Sequence, residues 1–142
     1  MTGGARRGKG KLDMGVSLDE FPFDRLRLHP DEQAQWKALG WAAHRSTQYA
    51  ILLTDRALHL RSAIWFARWR SIPLAQVRDA VFNDSWWGPS LRVETTAGNQ
   101  VLRTPWDVRV EMDIDRENLR TAAVRVRHAL AGTADVVQSH RS

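Results

Sequence analysis

The stretch YAILLTDRALHL, residues 49–60, constrains the fold of this chain more than any other feature of its sequence. A continuous apolar run ends at Leu53, TDRA supplies a turn, and Leu58 and Leu60 then alternate with His59. Alternation with a period of two places successive side chains on opposite faces of a strand. The stretch therefore predicts a β-hairpin with Leu58 and Leu60 on one face of its second strand and His59 on the other.

Further short segments with strand character follow this hairpin along the chain. They are WFARWRSI, VRDAVF, LRVET and QVLRT, and the turn TAGN with Gly98 separates the last two. Repeated short strands separated by Gly, Pro and Asn are typical of an antiparallel sandwich or barrel. The chain is therefore predicted to be mainly β, and its 142 residues suffice for one domain but not for two.

The segment WFARWRSI raises the question of whether its two tryptophans and two arginines bind a ligand. In an extended strand Trp65 and Trp69 lie on one face, which we expect to be buried because large aromatic side chains dominate small cores. Arg68 and Arg70 are expected to lie on the opposite, solvent-facing side. A bulge or a strand end is expected near Pro73.

One C-terminal stretch, DRENLRTAAVRVRHALAG, predicts an α-helix. Its apolar residues recur at i, i+3 and i+4 spacing and form one stripe: Leu119, Ala122, Ala123, Val126 and Leu130. We expect the helix to span about residues 115–131, and Asp113 or Asp115 can cap its start. Gly132 is a natural stop, and a frayed tail is expected over residues 132–142.

The same helix carries a basic flank beside its apolar stripe, formed by Arg116, Arg120 and Arg127. A basic amphipathic helix can bind a membrane or an acidic partner. A helix that packs on a β-sheet needs the same apolar stripe, so the flank alone does not assign a function.

Residues 31–44 are compatible with two structures. Trp36, Leu39 and Gly40 fit helical spacing, and local propensity favours a helix there. The alternative is a strand that leads into Tyr49. The residue pattern leaves both structures open.

The N-terminal residues 1–18 are rich in glycine and basic side chains and poor in apolar ones, so we expect a disordered basic tail before a folded domain over residues 19–131. The chain has no cysteine, which excludes disulfides and thiolate metal sites. It shows neither an apolar run of about 20 residues nor a signal-peptide pattern. We therefore expect a cytoplasmic protein without a transmembrane segment, able to bind peripherally at a membrane.

The segments YAILLTDRALHLRS, RWRSIPLAQVRDAVF and LRVETTAGNQVLRTP together resemble the bacterial pleckstrin-homology-like (PH-like) domains. The matching positions are Thr54, Asp55, Arg56, Leu58, Leu60, Ile72, Pro73 and Leu74. Ala57 departs from the pattern, which often has a second basic residue at that point. The resemblance implies a seven-stranded, partly open antiparallel barrel capped by one C-terminal helix. It also implies that residues 33–44 form the first strand.

The resemblance further implies a binding module, but not recognition of inositol phosphates. Members of the wider superfamily that bind phosphoinositides carry several basic residues in and beside the loop between their first two strands. This chain offers only His44 and Arg45 in that region. A protein partner is therefore favoured slightly over an anionic lipid surface.

A candidate binding surface can be assembled from basic and aromatic residues outside the expected core. Its members are Arg45, Arg56, Arg61, Arg68, Arg70, Trp86 and Trp87. Arginines suit phosphate and carboxylate groups, and two adjacent tryptophans in a loop cannot easily both point inward. A solvated polar sheet face, with the tryptophans packed back onto the domain, is the competing explanation.

The sequence gives little support to catalysis. The five histidines lack metal-ligand spacing, and neither a Gly-x-Ser-x-Gly motif nor a phosphate-binding glycine loop occurs. No cofactor is expected. We therefore predict a non-enzymatic adaptor or binding module, with a weakly binding, non-specific nucleic-acid-associated protein as the alternative, because the net charge is +5 and no RNA-binding motif is present.

Overall fold

The computed structural model describes residues 16–40, 49–62, 68–85, 88–103 and 112–141. Within these ranges, seven strands form two antiparallel sheets. The first sheet contains β1 (Ala34–Leu39), β2 (Ala50–Thr54), β3 (Ala57–Arg61) and β4 (Trp69–Pro73), in that order. The second contains β5 (Val77–Ser85), β6 (Gly88–Thr95) and β7 (Gly98–Arg103). A long helix, α1 (Met112–Arg141), follows, and 3₁₀ turns lie at Phe23–Arg25 and Leu74–Gln76.

The predicted hairpin is present, with β2 and β3 joined through Asp55 and Arg56. Thr54 closes this turn, because its hydroxyl accepts a hydrogen bond from the Ala57 N–H over 3.0 Å. The ambiguous segment before it contains strand β1, which pairs with β2. Cross-strand pairing of an apolar face therefore overrides the local preference for helix.

The main core lies between the inner faces of the two sheets and α1. Its fully buried members include Ile51, Leu58 and Leu60 from the first sheet and Leu91, Val93 and Leu102 from the second. From α1, Leu119, Ala122, Ala123 and Val126 pack into this core, and Leu130 lies at its margin. The mainly β fold class with one C-terminal helix is confirmed in the described residues, as two packed antiparallel sheets rather than a closed barrel.

The helix α1 differs from its prediction at both ends. It starts at Met112, so Asp113 and Asp115 lie within its first turn instead of preceding it. It also continues to Arg141, past the stop predicted at Gly132. A glycine ends a helix when it adopts a left-handed conformation, which Gly132 does not, and a single glycine inside a helix costs only about 1 kcal/mol relative to alanine.

The outer face of the first sheet is also covered. A second cluster joins Phe23 to Ala50 and Leu52 of β2. Val16 and Leu18 pack against it, so the last residues of the predicted disordered tail are part of the fold, while residues 1–15 lie outside the described ranges. Apolar side chains on the second face of β2 require such a cover, which explains why YAILL is apolar without alternation.

The loop in which Trp86 and Trp87 were predicted is a short connection between two strands. β5 runs to Ser85 and β6 starts at Gly88, and these two residues pair with each other. Gly88 has φ of 128°, a conformation that disfavours side chains. Long antiparallel pairing therefore reduces the connection to Trp86 and Trp87, which lie outside the described residues.

Candidate functional site

A cleft of about 320 Å³ opens between the first sheet and the β6–β7 hairpin. It is lined by Arg70, Ser71, Ile72, Gln76, Thr95, Ala97 and Gln100. β4 lies along one side, and Gln100 of β7 contributes to the other. Both strands are edges among the described strands, since β4 pairs only with β3 and β7 only with β6.

Arg70 is the charged residue of this cleft. It pairs with Leu60 across the sheet, and it shares the inner face with Ile72. Its Nη1 donates a hydrogen bond to the Gln100 side chain over 2.6 Å, and its Nη2 donates to Ser62 over 3.2 Å. The half-buried guanidinium therefore bridges the two sheets, and within the described residues it forms no ion pair with a carboxylate.

The backbone of β4 presents hydrogen-bonding groups to this cleft. The Leu74 N–H donates to the Arg56 carbonyl over 2.9 Å. Hydrogen-bonded and non-bonded pairs alternate in an antiparallel ladder. Ile72 and Arg70 lie two and four residues before Leu74, so their backbone groups are also bonded to β3. The N–H and C=O of Ser71 are therefore directed away from β3, toward the edge at which no described strand pairs.

The structure places the predicted arginines in different environments. Arg61 is only 7% exposed and lies on the outer face, where its guanidinium is 5.3 Å from the centre of the Phe21 ring. Arg56 lies in the β2–β3 turn, 3.7 Å from a carboxylate oxygen of Asp31. Arg70 faces the opposite side of the sheet from Arg61, because its cross-strand partner is Leu60. These arginines therefore do not form one continuous patch.

The expected inward tryptophan face and outward arginine face of β4 are reversed at the described positions. Trp69 lies on the outer face, where its ring centre is 5.6 Å from that of Phe23 and its Nε1 donates to the Pro22 carbonyl over 3.3 Å. Arg70 consequently points inward. Both faces of this sheet are covered, so alternation alone does not identify the face that belongs to the main core. The strand ends at Pro73, as expected, without a bulge.

Of the other candidate residues, Arg68 is exposed next to β4. Arg45, Trp86 and Trp87 lie outside the described residues, as does Trp65. The candidate surface as a whole therefore remains a prediction.

The basic flank of α1 is paired with carboxylates. Arg116 donates to Asp84 over 3.1 Å, which fixes the helix to the end of β5. Arg127 donates to Asp79 over 2.9 Å and fixes it near the start of the same strand. Arg120 contacts Glu117 over 3.4 Å and lies over the Phe82 ring. These contacts make the flank part of the helix–sheet packing.

A buried polar network that sequence reasoning did not find lies beneath the N-terminal segment. Glu32 and His59, whose side chains are 6% and 4% exposed, face each other over 2.8 Å. A carboxylate only accepts hydrogen bonds, so His59 Nε2 carries a proton, while its Nδ1 lies 2.7 Å from the Ser71 hydroxyl. Thr54 also donates to Glu32. His59 was predicted on the face of β3 opposite to Leu58 and Leu60. Its partner Glu32 lies 27 positions away in the chain, so no local sequence pattern indicates this contact.

The environment of Glu32 lowers the pKa of its carboxyl group. Burial alone would raise the pKa, but hydrogen bonds from Thr54, His59 and the His29 backbone offset this effect and favour the charged form. The hydrogen bonds from Thr54 and His59 also join the N-terminal segment to β2 and β3.

We expect this lowered pKa to make the fold acid-sensitive. A carboxyl group whose pKa is lower in the folded state stabilises the fold above its unfolded value of about 4.5, and this contribution is lost as the pH falls through the folded value. Urea unfolding of the wild type and Glu32→Gln between pH 5 and pH 3 should show a stability difference that shrinks with acidification. A constant difference would contradict the expectation.

A second, smaller cleft of about 260 Å³ lies between β1 and the C-terminal half of α1. Trp36 and Leu53 form its apolar side, and Arg125 and His128 of α1 border it. Both side chains are exposed, so this cleft lacks the partly desolvated charge that distinguishes the Arg70 cleft.

The described part of the chain contains no group of three or more His, Cys, Asp or Glu side chains positioned to bind a metal ion. The helical residues that the structure describes include no stretch with the length and apolarity needed to cross a membrane.

The strands and the helix agree with a known family. The model of the bacterial PH domain family matches residues 36–129, which begin in β1 and end in α1 and so include the candidate cleft. A search of curated proteins gives no match. Because the match covers well over half of the sequence, the chain belongs to the bacterial PH domain family.

Proposed function

We propose that this domain is a non-enzymatic adaptor that binds an extended segment of a partner protein along the open edge of β4. Membership of a PH-like family supports a binding or adaptor-type module. The observation that carries the proposal is the cleft between the two sheets, because β4, which pairs with β3 alone among the described strands, borders it with the edge that faces away from β3. Addition of a strand to such an edge is a common mode of peptide recognition.

The distribution of charge favours a protein segment over a membrane surface. Binding to anionic lipid needs several exposed basic residues on one face, each contributing about 1 kcal/mol. Arg61 is buried, Arg56 lies near Asp31, and the arginines of the α1 flank contact carboxylates. The same pairing argues against a basic stripe suited to nucleic acid.

The proposal predicts that binding depends on the N–H group of Ser71. A random peptide library displayed on phage can be selected against the folded domain, and the affinity of a labelled, selected peptide measured by fluorescence anisotropy. Ser71→Pro removes the N–H group at the edge without breaking a bond to β3, and we expect it to weaken binding at least tenfold.

The matched control for this experiment is Ser71→Ala, which keeps the N–H group. Both variants lose the hydroxyl group near His59, so the comparison between them isolates the backbone donor. We expect Ser71→Ala to bind as the wild type does. Equal weakening by both variants would exclude strand addition at β4. Failure to select any peptide, together with sedimentation of the domain with phosphatidylserine vesicles, would favour a membrane ligand instead.

A further inference from the structure

We propose that Arg70 makes the β4 edge selective for an acidic side chain, and that the bound segment carries an acidic and an apolar side chain two positions apart. This inference rests on the proposed binding of an extended segment, and it specifies which segment the cleft accepts. Two observations carry it: the chemistry of the Arg70 guanidinium, and the order in which β4 side chains reach the cleft.

Arg70 retains donors for a ligand. A guanidinium has five N–H donors, and the contacts to Gln100 and Ser62 use two of them. These two contacts also hold the group in one orientation across the cleft. An arginine that is partly removed from water and lacks a carboxylate among the described residues is a favourable partner for an anion, because charge-assisted hydrogen bonds offset the lost hydration.

The register of β4 determines where the anion must lie. A residue of an added strand that is directly opposite Arg70 points to the same sheet face, with Cβ atoms about 5 Å apart. That face is the inner one, which Arg70 shares with Ile72. The residue opposite Arg70 is therefore expected to be acidic, and the residue opposite Ile72, two positions along, is expected to be apolar.

The intervening residue faces the outer side of the sheet, beside Ser71. Ser71 is exposed and its hydroxyl group already contacts His59 over 2.7 Å. This position therefore places little restriction on the side chain. The selectivity resides in the two inward-facing residues of the segment.

The anionic side chain can carry a carboxylate or a phosphorylated hydroxyl group, and peptide binding can distinguish between these two groups. The probe is the phage-selected peptide in three synthetic forms, which carry glutamate, glutamine or phosphoserine at the position opposite Arg70. We expect the glutamate form to bind about tenfold more tightly than the glutamine form. Tighter binding of the phosphoserine form than of the glutamate form would identify phosphorylated segments as the ligands.

The variants Arg70→Gln and Arg70→Glu test whether Arg70 is responsible. Arg70→Gln should remove the preference for glutamate over glutamine, and Arg70→Glu should reverse it, so that the glutamine form binds more tightly than the glutamate form. Arg103→Gln is the matched control, because Arg103 is exposed at the end of β7 and does not line the cleft; it should keep the preference. Thermal unfolding checks that each variant is folded.

Two failures can be distinguished. In the first case, peptides bind and Ser71→Pro weakens their binding, but the glutamate and glutamine forms bind equally. Strand addition at β4 is then supported, and the proposed role of Arg70 is wrong. If no peptide binds the folded domain, the proposed function fails and this inference fails with it.

Discussion

Replacement of Leu119 by aspartate is expected to unfold most of the protein at room temperature. Leu119 is fully buried in the main core, where α1 packs on the strands. The substitution removes its apolar contacts and places an unpaired carboxylate in an apolar environment. The combined effect should be about 4 kcal/mol or more, which is comparable to the total stability of a small domain. Urea unfolding monitored by circular dichroism measures it.

The matched control for this prediction is Val124→Asp on the same helix. Val124 is 54% exposed, so an added carboxylate remains hydrated and should change stability by less than about 1 kcal/mol. The two variants share the introduced charge and differ in the face of α1 that receives it. Equal stability of both variants would mean that α1 does not dock on the sheets.

Local patterns in the sequence predict the strands and helices that are determined by the spacing of neighbouring residues. The alternation of Leu58, His59 and Leu60 identifies β3, and the spacing of Leu119 and Val126 identifies the packed face of α1. Both patterns are found in the structure, because neighbouring side chains point to different sides of a strand or helix and the two sides have different surroundings.

The features that the sequence did not predict depend on contacts between distant segments. Trp69 is covered, but by Phe23 of the N-terminal segment rather than by the main core. The inward position of Arg70 follows from its pairing with Leu60 of β3. Ile72, which is in phase with Arg70, was the available signal. When both faces of a sheet are covered, hydrophobicity identifies the strand but not the side on which a polar residue becomes functional.

The sequence also does not predict the long-range contacts of Tyr49, the last residue before β2. It is fully buried, and its hydroxyl group donates to Asp115 of α1 over 2.9 Å and accepts from Asn118 over 3.1 Å. The sequence marks Tyr49 only as apolar and Asp115 only as a possible cap. The contact joins the start of β2 to the first turn of α1, across 66 positions of the chain.

Because this contact fixes the Tyr49 ring, position 40 cannot accommodate even the methyl group of alanine. A Cβ atom at Gly40 would lie 1.9 Å from a ring carbon of Tyr49. The ring cannot move aside without breaking its hydrogen bonds to α1, and the Gly40 N–H is itself bonded to the Tyr49 carbonyl over 3.1 Å. We therefore expect Gly40→Ala to destabilise the domain by about 3 kcal/mol or more in urea unfolding.

The same substitution at Gly132 provides a control with the opposite sign. Apart from the adjoining residues and backbone of α1, no described atom lies within 4 Å of a Cβ atom at Gly132, so Gly132→Ala should stabilise the helix by about 0.5–1 kcal/mol. The cause of the loss at Gly40 can be tested in a Tyr49→Leu background, where the obstructing ring is absent. Residues in contact have non-additive effects. Gly40→Ala should therefore cost much less in that background than in the wild type, and an equal loss in both would show that backbone conformation, rather than the Tyr49 ring, requires glycine.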